Sequence, residues 1–204
     1  MFLKKIPSIL TKSVKDVTWH LSRMENAIYL SFDDGPDPDS TPALLELLER
    51  HAVKATFFCL GKPAERHPEL VEQIRAMGHT VAAHGYEHLD GWRTKNERYF
   101  ENARRSMQLL ETKLFRPPYG RISPSQLKVL AKECRVILWD VMPGDFDEGI
   151  SSDTCVLNMN RRVQAGSIVV LHDRSDMREK LHSVLEECLP LLKERFDCLS
   201  IEIS

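Results

Sequence analysis

The sequence lacks long apolar runs and lacks an excess of charge of either sign. No stretch of its 204 residues approaches the roughly 20 consecutive apolar residues that a membrane-spanning helix needs. Its 28 basic and 30 acidic residues leave a formal net charge of −2. Because nucleic acid is bound through a strong positive field, this balance argues against DNA or RNA as a partner. We therefore predict no integral membrane segment and no nucleic-acid partner.

Cysteines are few, and no two of them form a Cys-x-x-Cys pair. Their number is odd and they are spread along the chain, at Cys59, Cys134, Cys155, Cys188 and Cys198. This pattern argues against a disulfide framework and against a thiolate metal site. It predicts buried free thiols in a reducing compartment.

The N-terminal residues also lack the long apolar core of a signal peptide. Lys12, Lys15 and Asp16 interrupt the chain after the short run IPSIL. On the sequence as given we expect a cytoplasmic protein, whereas an extracytoplasmic location would require that a targeting segment had been removed. An amphipathic arm resting on a membrane surface is a less favoured alternative, because the pattern is short and contains Pro7.

Seven short apolar runs alternate with helical patterns along the rest of the chain. The runs cover 27–32, 54–61, 79–85, 114–120, 135–141, 167–173 and 198–203. They are apolar throughout rather than alternating, as strands buried on both faces are, which predicts a parallel sheet with helices outside. An open doubly wound sheet and a closed barrel both fit this pattern.

The boundaries of the helices and of the domain also follow from the pattern. Thr41 is the predicted N-cap of a helix over 41–51, and Ser123 followed by Pro124 opens a later one. No internal repeat or linker interrupts the rhythm, so we predict a single domain over residues 1–204. Within it, residues 1–25 are expected to form an arm packed on a catalytic core of about 26–204.

Polar residues follow five of the seven runs, at the point where each run ends. The segments are FDDGP (32–36), HGYEH (84–88), RPPYG (116–120), WDVMPGD (139–145) and LHD (171–173). In parallel β/α folds, chemistry collects at the C-terminal ends of the strands. We therefore expect these side chains to meet at one rim of the sheet.

Two histidines and a pair of acids in these segments indicate a metal site. His84 and His88 stand four residues apart, so both imidazoles can face one ion, although surface histidines share this spacing. Asp33 and Asp34 precede Gly-Pro, which fits an ordinary turn as well as an acid pair aimed at the rim. Two histidines and one carboxylate form a hydrolytic zinc set and leave the second carboxylate free as a base. A cation there would favour the ionised forms of both acids.

Three further residues each have two interpretations. Arg116 is either a surface arginine on a turn or a clamp on a carboxylate. His172 is either a structural histidine at the edge of the core or a member of the site. Trp92, in the loop after the second histidine, is either a packing residue, which we favour, or a stacking platform for a sugar ring.

In this order, the five segments resemble the five motifs of the polysaccharide deacetylases, the carbohydrate esterase family 4 enzymes with the NodB homology domain. SFDDGP (31–36) resembles the first motif, usually TFDDGP, and HGYEH resembles the second, usually His-Ser/Thr-x-x-His. RPPYG and LHD resemble the third and last motifs, and GDF (144–146) stands where Asp-Trp is usual. The resemblance covers about residues 26–175. It implies a distorted seven-stranded (β/α) barrel, with parallel strands inside and helices outside.

The resemblance also implies a metal centre with a base beside it. The implied metal ligands are Asp34, His84 and His88. The implied metal is most often Zn²⁺, with Co²⁺ or Ni²⁺ as alternatives. Asp33 would be the general base that deprotonates the metal-bound water, and Arg116 would hold Asp33 in place.

The remaining implied roles concern the oxyanion, the leaving amine and the pocket. The backbone N–H of Tyr119 would help to stabilise the oxyanion. His172 would be the general acid that protonates the leaving amine, with Asp145 orienting it and tuning its pKa. The predicted substrate pocket contains Leu171, which the resemblance puts at the acetyl methyl group, together with Phe146, Pro118 and Trp92.

These residues predict a metal-dependent hydrolase that removes N-acetyl or related acyl groups from an amino-sugar substrate, such as an oligo- or polysaccharide containing N-acetylglucosamine. Two positions depart from the family pattern: Gly85 replaces Ser or Thr, and Phe146 replaces Trp. Neither departure removes a charge or a ligand. Two alternatives stay open, namely an amidohydrolase of small or lipid-linked N-acyl substrates and a catalytically silent carbohydrate-binding relative.

Overall fold

One curled sheet of eight strands forms the centre of the computed structural model, which describes residues 16–202. Every pairing between these strands is parallel. The strands are β1 Val17–Thr18, β2 Ala27–Asp33, β3 Thr56–Cys59, β4 Thr80–Ala83, β5 Leu114–Phe115, β6 Arg135–Ile137, β7 Ile168–His172 and β8 Asp197–Leu199. The last seven correspond to the seven predicted runs, whereas the two-residue β1 was not predicted.

The order of the strands curls the sheet into a distorted barrel. The order is β1-β6-β5-β4-β3-β2-β7, and β8 pairs with the first half of β2. Val141, shortly after β6, forms a parallel bridge with Val169 of β7 and so brings the far end of the sheet back towards β6. The predicted (β/α) barrel class is therefore confirmed, and the alternative of an open doubly wound sheet is wrong.

Helices surround the sheet and connect its strands. They are α1 Thr41–Arg50, α2 Gly61–Arg66, α3 Pro68–Ala76, α4 Asn96–Leu109, α5 Pro124–Leu130, α6 Ser152–Arg162 and α7 Arg178–Lys193. In α1, leucines 44, 45, 47 and 48 are all buried, as their helical spacing predicts. Among residues 16–202, each helix falls short of the length or the apolar character that crossing a bilayer requires.

The ends of two helices test the predicted caps. Ser123 accepts from the backbone N–H of Gln126, whose side chain accepts in turn from Ser123, so the predicted cap is confirmed as a full capping box. The prediction of Thr41 as an N-cap is wrong, because α1 begins at Thr41 and Ser40 occupies the cap position. The Thr41 hydroxyl instead donates to the buried carboxylate of Asp173, a tertiary contact that local sequence does not reveal.

The core lies inside the barrel and between the sheet and the helices. Every residue of β2 and of β3 is buried, which explains why these runs are apolar on both faces. All five cysteines are free, as predicted; four are buried and Cys198 is partly exposed.

The predicted N-terminal arm over 1–25 falls only in part within the described residues, since residues 1–15 lie outside them. Within the described part, β1 adds to the edge of β6, and Arg23 reaches Asp140 of the WDVMPGD segment. One carboxylate oxygen of Asp140 accepts from Arg23 at 2.7 Å and from the Ser167 hydroxyl, and the other accepts from the Ile168 N–H at 2.9 Å. Asp140 therefore ties the arm to the start of β7 and does not line the rim.

We expect the substitution Asp140→Ala to lower the free energy of unfolding by about 3 kcal/mol, because it leaves the Ile168 N–H without its acceptor and the Arg23 guanidinium without its ion-pair partner. Urea denaturation of the full chain measures this change. Asp153→Ala, at an exposed position in α6, is the control and should change stability by less than about 1 kcal/mol. Equal effects of the two substitutions would contradict the assigned anchor.

Candidate metal centre and active site

The C-terminal ends of five strands, β2, β4, β5, β6 and β7, deliver side chains to one cleft. Because the strands are parallel, Asp33 at the end of β2, His84 after β4 and His172 at the end of β7 emerge on the same rim. The cleft has a volume of about 340 Å³. It is lined by Asp33, Asp34, His84, His88, Tyr119, Arg121, Trp139, Met142, Phe146, His172 and Arg174.

Asp34, His84 and His88 form a cluster that can hold a metal ion. One ligand atom from each residue lies within 4.8 Å of the others. The Nε2 atoms of His84 and His88 are 3.7 and 3.4 Å from Oδ1 of Asp34. That oxygen is buried and accepts no hydrogen bond from residues 16–202, a costly state unless a cation neutralises it. The donor set of two imidazoles and one carboxylate fits a divalent ion and leaves open coordination positions.

The tautomer of His84 follows from its hydrogen bond. Its Nδ1 lies 2.8 Å from the carbonyl oxygen of Arg116, which can only accept, so Nδ1 carries the hydrogen. The lone pair of Nε2 therefore faces Asp34, as a metal ligand requires. Burial lowers the pKa of His84 to about 3 and also lowers the pKa of His88, so both rings are neutral near pH 7.

Asp33 is held from beneath by a buried arginine. Nη1 of Arg116 donates to Oδ1 of Asp33 at 2.6 Å and to the hydroxyl of Ser31 at 2.8 Å. The Arg116 guanidinium is fully buried and lies 3.8 Å from the centre of the Phe58 ring. The interpretation of Arg116 as a surface residue is therefore wrong. Burial raises the pKa of the Asp33 carboxyl against the opposing effect of Arg116, which makes that carboxylate a stronger base.

His172 is paired with Asp145 on the other side of the cleft. Its Nδ1 lies 3.2 Å from Oδ2 of Asp145, and its backbone N–H donates to the same oxygen at 2.7 Å. Burial on its own would lower the pKa of His172. The charge and hydrogen bond of Asp145, together with the charges of Asp33 and Asp34, outweigh burial and raise that pKa to about 9. The ring is therefore protonated at neutral pH.

Tyr119 contributes both its ring and its backbone to the rim. It lies in the 3₁₀ turn Pro118–Gly120 with a φ of 59°, and its ring packs on His88 with ring centres 4.3 Å apart. Within residues 16–202 its backbone N–H donates no hydrogen bond, so this donor is free to meet a ligand.

Of the four predicted pocket residues, all within the described part of the chain, Phe146 alone lines the cleft. Phe146 lines the cleft and packs edge-on against His172, with ring centres 5.0 Å apart. As far as the described residues go, the lining does not include Leu171, Pro118 or Trp92. Leu171 and Pro118 are buried, whereas the Trp92 side chain is 66% exposed. The interpretation of Trp92 as a packing residue is therefore wrong.

Asp173 is a residue of the site that sequence reasoning missed, although it ends the quoted segment LHD. It is fully buried, and its backbone N–H donates to the Asp33 carbonyl at 2.8 Å. A Cβ atom at Gly35 would meet Oδ2 of Asp173 at only 2.6 Å, so the close approach requires glycine directly after the acid pair. Burial raises the pKa of Asp173 to about 6, although the hydrogen bond from the Thr41 hydroxyl opposes the rise.

Four residues that do line the cleft were also missed. Trp139 and Met142 lie inside the quoted WDVMPGD segment, and Arg121 and Arg174 each follow a quoted segment by one position. Their closeness to the motifs was the only signal in the sequence. Neither a distinctive spacing nor a charge pattern marked them, because their side chains meet only when the strand ends converge.

Comparison with known proteins agrees with this geometry. The family model described as polysaccharide deacetylase matches residues 21–134. A peptidoglycan-N-acetylglucosamine deacetylase from Bacillus cereus is 34% identical over 189 residues, which cover 88% of this chain and 87% of that protein. A chitooligosaccharide deacetylase from Sinorhizobium fredii is 33% identical over 188 residues, covering 83% of this chain and 86% of that protein.

A solved structure extends the similarity to the whole fold. The crystal structure of a peptidoglycan N-acetylglucosamine deacetylase in complex with 4-naphthalen-1-yl-N-oxidanyl-benzamide superposes with a TM-score of 0.88 and 28% identity. The superposition covers 96% of this chain and 95% of the other. The chain therefore belongs to the polysaccharide deacetylase family, carbohydrate esterase family 4 with the NodB homology domain.

Proposed function

We propose that this protein is a metal-dependent hydrolase that removes N-acetyl groups from amino sugars in an oligo- or polysaccharide containing N-acetylglucosamine. The observation that carries the proposal is the meeting of three elements in one cleft. These are the cluster of Asp34, His84 and His88, the buried base Asp33, and the protonated His172. The names of the relatives, which are deacetylases of peptidoglycan and of chitooligosaccharides, support the same substrate class.

Asp34, His84 and His88 are the side chains that would hold the metal, for which we propose Zn²⁺. A divalent cation bound there would supply Lewis acidity, polarising the amide carbonyl and lowering the pKa of a water molecule. The neutral Nε2 of His84 and the unpartnered Oδ1 of Asp34 suit such an ion. Co²⁺ and Ni²⁺ are alternatives with the same preference for imidazole.

We assign the role of general base to Asp33. Its Oδ2 lies 3.7 Å from Nε2 of His84, beside the cluster, while its Oδ1 is held by Arg116. One oxygen is thus restrained and the other faces the cluster, where it can accept a proton from the attacking water. Arg116 keeps the carboxylate oriented and prevents it from turning into the ligand set.

We assign the role of general acid to His172, which lines the other side of the cleft. An amine leaves an amide readily only after protonation, so an acid is needed opposite the base. Asp145 orients the ring through its Nδ1 and keeps it protonated, leaving Nε2 to donate. The free N–H of Tyr119 is a suitable donor to the oxyanion that develops on the acyl oxygen.

The acyl pocket we propose differs in part from the sequence-based prediction. Phe146 and Met142 line the cleft beside His172 and offer an apolar surface to an acetyl methyl group. Leu171 and Pro118 are buried immediately before His172 and Tyr119, respectively, so we assign them a supporting role behind this wall.

We further propose that the substrate extends beyond one sugar, over Trp92. The guanidinium carbon of Arg121 lies 5.3 Å from the Trp92 ring and 5.7 Å from the Tyr119 ring. Arg121 and Tyr119 line the cleft, so the three side chains form a continuous surface from the cluster to the exposed indole. Nε1 of Trp92 donates to the Ile122 carbonyl at 3.3 Å and Arg121 lies over one face of the ring, which leaves the opposite face available for a sugar ring.

We expect the purified protein to release acetate from N-acetylglucosamine oligomers or peptidoglycan fragments, and a chelator to abolish this activity until Zn²⁺ is restored. Asp33→Asn should lower kcat by about 10²–10⁴-fold while the metal content stays unchanged, because it removes the base and not a ligand. Acetate assays and elemental analysis measure the two effects.

Metal binding without acetate release from any substrate would indicate a silent relative, and activity on monomeric or lipid-linked amides alone would favour the small-substrate alternative.

We expect Asp145→Asn to shift the alkaline limb of the pH–kcat profile downwards by about 1–3 pH units, because an adjacent carboxylate shifts a pKa by that amount. The folded-state pKa of His172 is raised to about 9, so the proton is present below that pH and is lost above it. Removing the carboxylate lowers this pKa, and the acid is lost at lower pH. Asp147→Asn is a matched control, since its side chain accepts from the Gly149 N–H and not from His172. Identical profiles for Asp145→Asn and the unaltered protein would refute the pairing.

We expect Trp92→Ala to raise KM about threefold to tenfold for tetra- and pentasaccharides but not for disaccharides, because only longer chains reach the indole. Trp92→Phe keeps an aromatic face and should retain most of the affinity for long chains. Steady-state kinetics over a series of chain lengths separates these cases. An equal rise in KM at every chain length would count against an outer sugar subsite at this residue.

A further inference from the structure

The loop between the two metal histidines is held by one side chain from outside the motif. Asn102, on α4, is buried against residues Gly85–Glu87. Its Oδ1 accepts from the backbone N–H of Glu87 at 2.7 Å, and its Nδ2 donates to the Glu87 carbonyl at 2.9 Å. The Asn102 backbone carbonyl also accepts from the Tyr86 N–H at 3.1 Å. The side-chain amide of Asn102 thus forms hydrogen bonds with both backbone groups of Glu87, the residue directly before His88.

The position of the His88 ring depends on these hydrogen bonds more than the position of the His84 ring does. His84 follows β4 directly, and its ring is fixed by the hydrogen bond from Nδ1 to the Arg116 carbonyl. Among the described residues, no hydrogen bond fixes Nδ1 of His88, whose ring contacts Tyr119 on one side and faces Asp34 through Nε2. The backbone at Glu87 therefore sets where the His88 imidazole lies.

Two backbone hydrogen bonds tie the first part of this loop to α2: the Gly61 N–H donates to the Gly85 carbonyl at 2.8 Å, and the Lys62 N–H donates to the Tyr86 carbonyl at 2.9 Å. Neither of them reaches Glu87, and the side-chain contacts of the loop are exposed. The Tyr86 ring stacks under Arg105, and Glu87 pairs with Arg98 at 3.3 Å and with Lys62 at 3.7 Å. Ion pairs at the surface contribute at most about 1 kcal/mol and are screened by salt. The Asn102 side chain is buried, and its loss would leave the Glu87 N–H without its acceptor, whereas the Glu87 carbonyl would still accept from the Leu89 N–H at 2.8 Å.

Gly85 and Asn102 fit each other. Gly85 has a φ of +84°, and a Cβ atom there would meet Nδ2 of Asn102 at 2.7 Å and the Glu87 carbonyl oxygen at 3.0 Å. A serine or threonine at position 85 would displace the asparagine amide. Gly85 and Asn102 are therefore mutually dependent, because the asparagine amide occupies the space that a side chain at position 85 would need.

We propose that Asn102 is a positioning residue for the metal centre, which fixes the Glu87 backbone and through it His88. A hydroxyl between the two histidines could brace this loop. In this protein the Asn102 side chain, on α4, forms the hydrogen bonds that brace it. This inference rests on the proposed function, since it requires that the cluster bind a divalent cation. The residue acts on metal affinity and touches neither substrate nor reacting atoms.

The test measures the affinity of the full-length protein for Zn²⁺, by competition with a chromogenic chelator, in the unaltered protein and in Asn102→Ala. We expect the substitution to weaken Zn²⁺ binding about 10–100-fold, as loss of groups that orient metal ligands does. Raising free Zn²⁺ should restore most of kcat, because Asp33 and His172 are unaffected. Asn102→Ser is a milder second variant, which should weaken binding in the same direction if Asn102→Ala does not fold.

The matched control is Asn158→Ala. Asn158 is also a buried asparagine on a helix, and its Nδ2 donates to the Pro143 carbonyl at 2.9 Å, bracing the loop that leads to Asp145. We expect this variant to lose folding stability without a change in Zn²⁺ affinity. An unchanged Zn²⁺ affinity in the Asn102 variants, or an equal loss in Asn158→Ala, would overturn the assigned role.

A double-mutant cycle tests the fit between the two positions. Gly85→Ala should weaken Zn²⁺ binding less in the Asn102→Ala background than in the unaltered protein, because the nearest clashing atom is then absent. Equal losses in both backgrounds would refute the contact. Failure of the unaltered protein to bind Zn²⁺, Co²⁺ or Ni²⁺ would overturn the proposed function and with it this inference, whereas normal binding by all variants would overturn this inference alone.

Discussion

The buried ion pair between Arg116 and Asp33 is the interaction on which the rest of the site depends. Arg116 follows β5, its side chain reaches Asp33 and Ser31 on β2, and its backbone carbonyl sets the tautomer of His84. A single fully buried residue thus connects the proposed base with a proposed metal ligand. Such a pair is costly to desolvate, so removing either partner would leave an uncompensated charge in the core. It restricts this rim to one arrangement.

Because of this ion pair, the two adjacent acids, Asp33 and Asp34, have different electrostatic surroundings. Asp33 is paired with Arg116, whereas Oδ1 of Asp34 is buried beside two imidazoles and accepts no hydrogen bond from residues 16–202. In the proposed function, the repulsion between neighbouring carboxylates would be offset by the fixed positive charge of Arg116 on one side and by the metal cation on the other. Gly35 permits the turn, since Asp173 leaves no room for a side chain at that position.

The arrangement around Asn102 gives a physical reason for the departure from the usual motif at Gly85. The family pattern puts a hydroxyl between the histidines, and this chain has Gly85 with an amide from another helix. Because a fold by itself does not determine function, activity depends on such details of the site. Every group that the proposed chemistry requires is present in the cleft or directly behind it.

The sequence by itself determined the alternation of buried strands and helices, and hence a parallel sheet with helices outside, whereas the pattern of apolar runs left an open sheet and a barrel equally possible. It also determined that Asp34, His84 and His88 would meet, because each follows a strand and parallel strands end at one rim. Only the tertiary structure decided the roles of Thr41, Asp173 and Asn102, since their partners lie far away in the chain. The same holds for the exposure of Trp92, which depends on how a loop lies on its neighbours. Periodicity reports which face of an element is buried, whereas pairwise contacts exist only once the elements have packed.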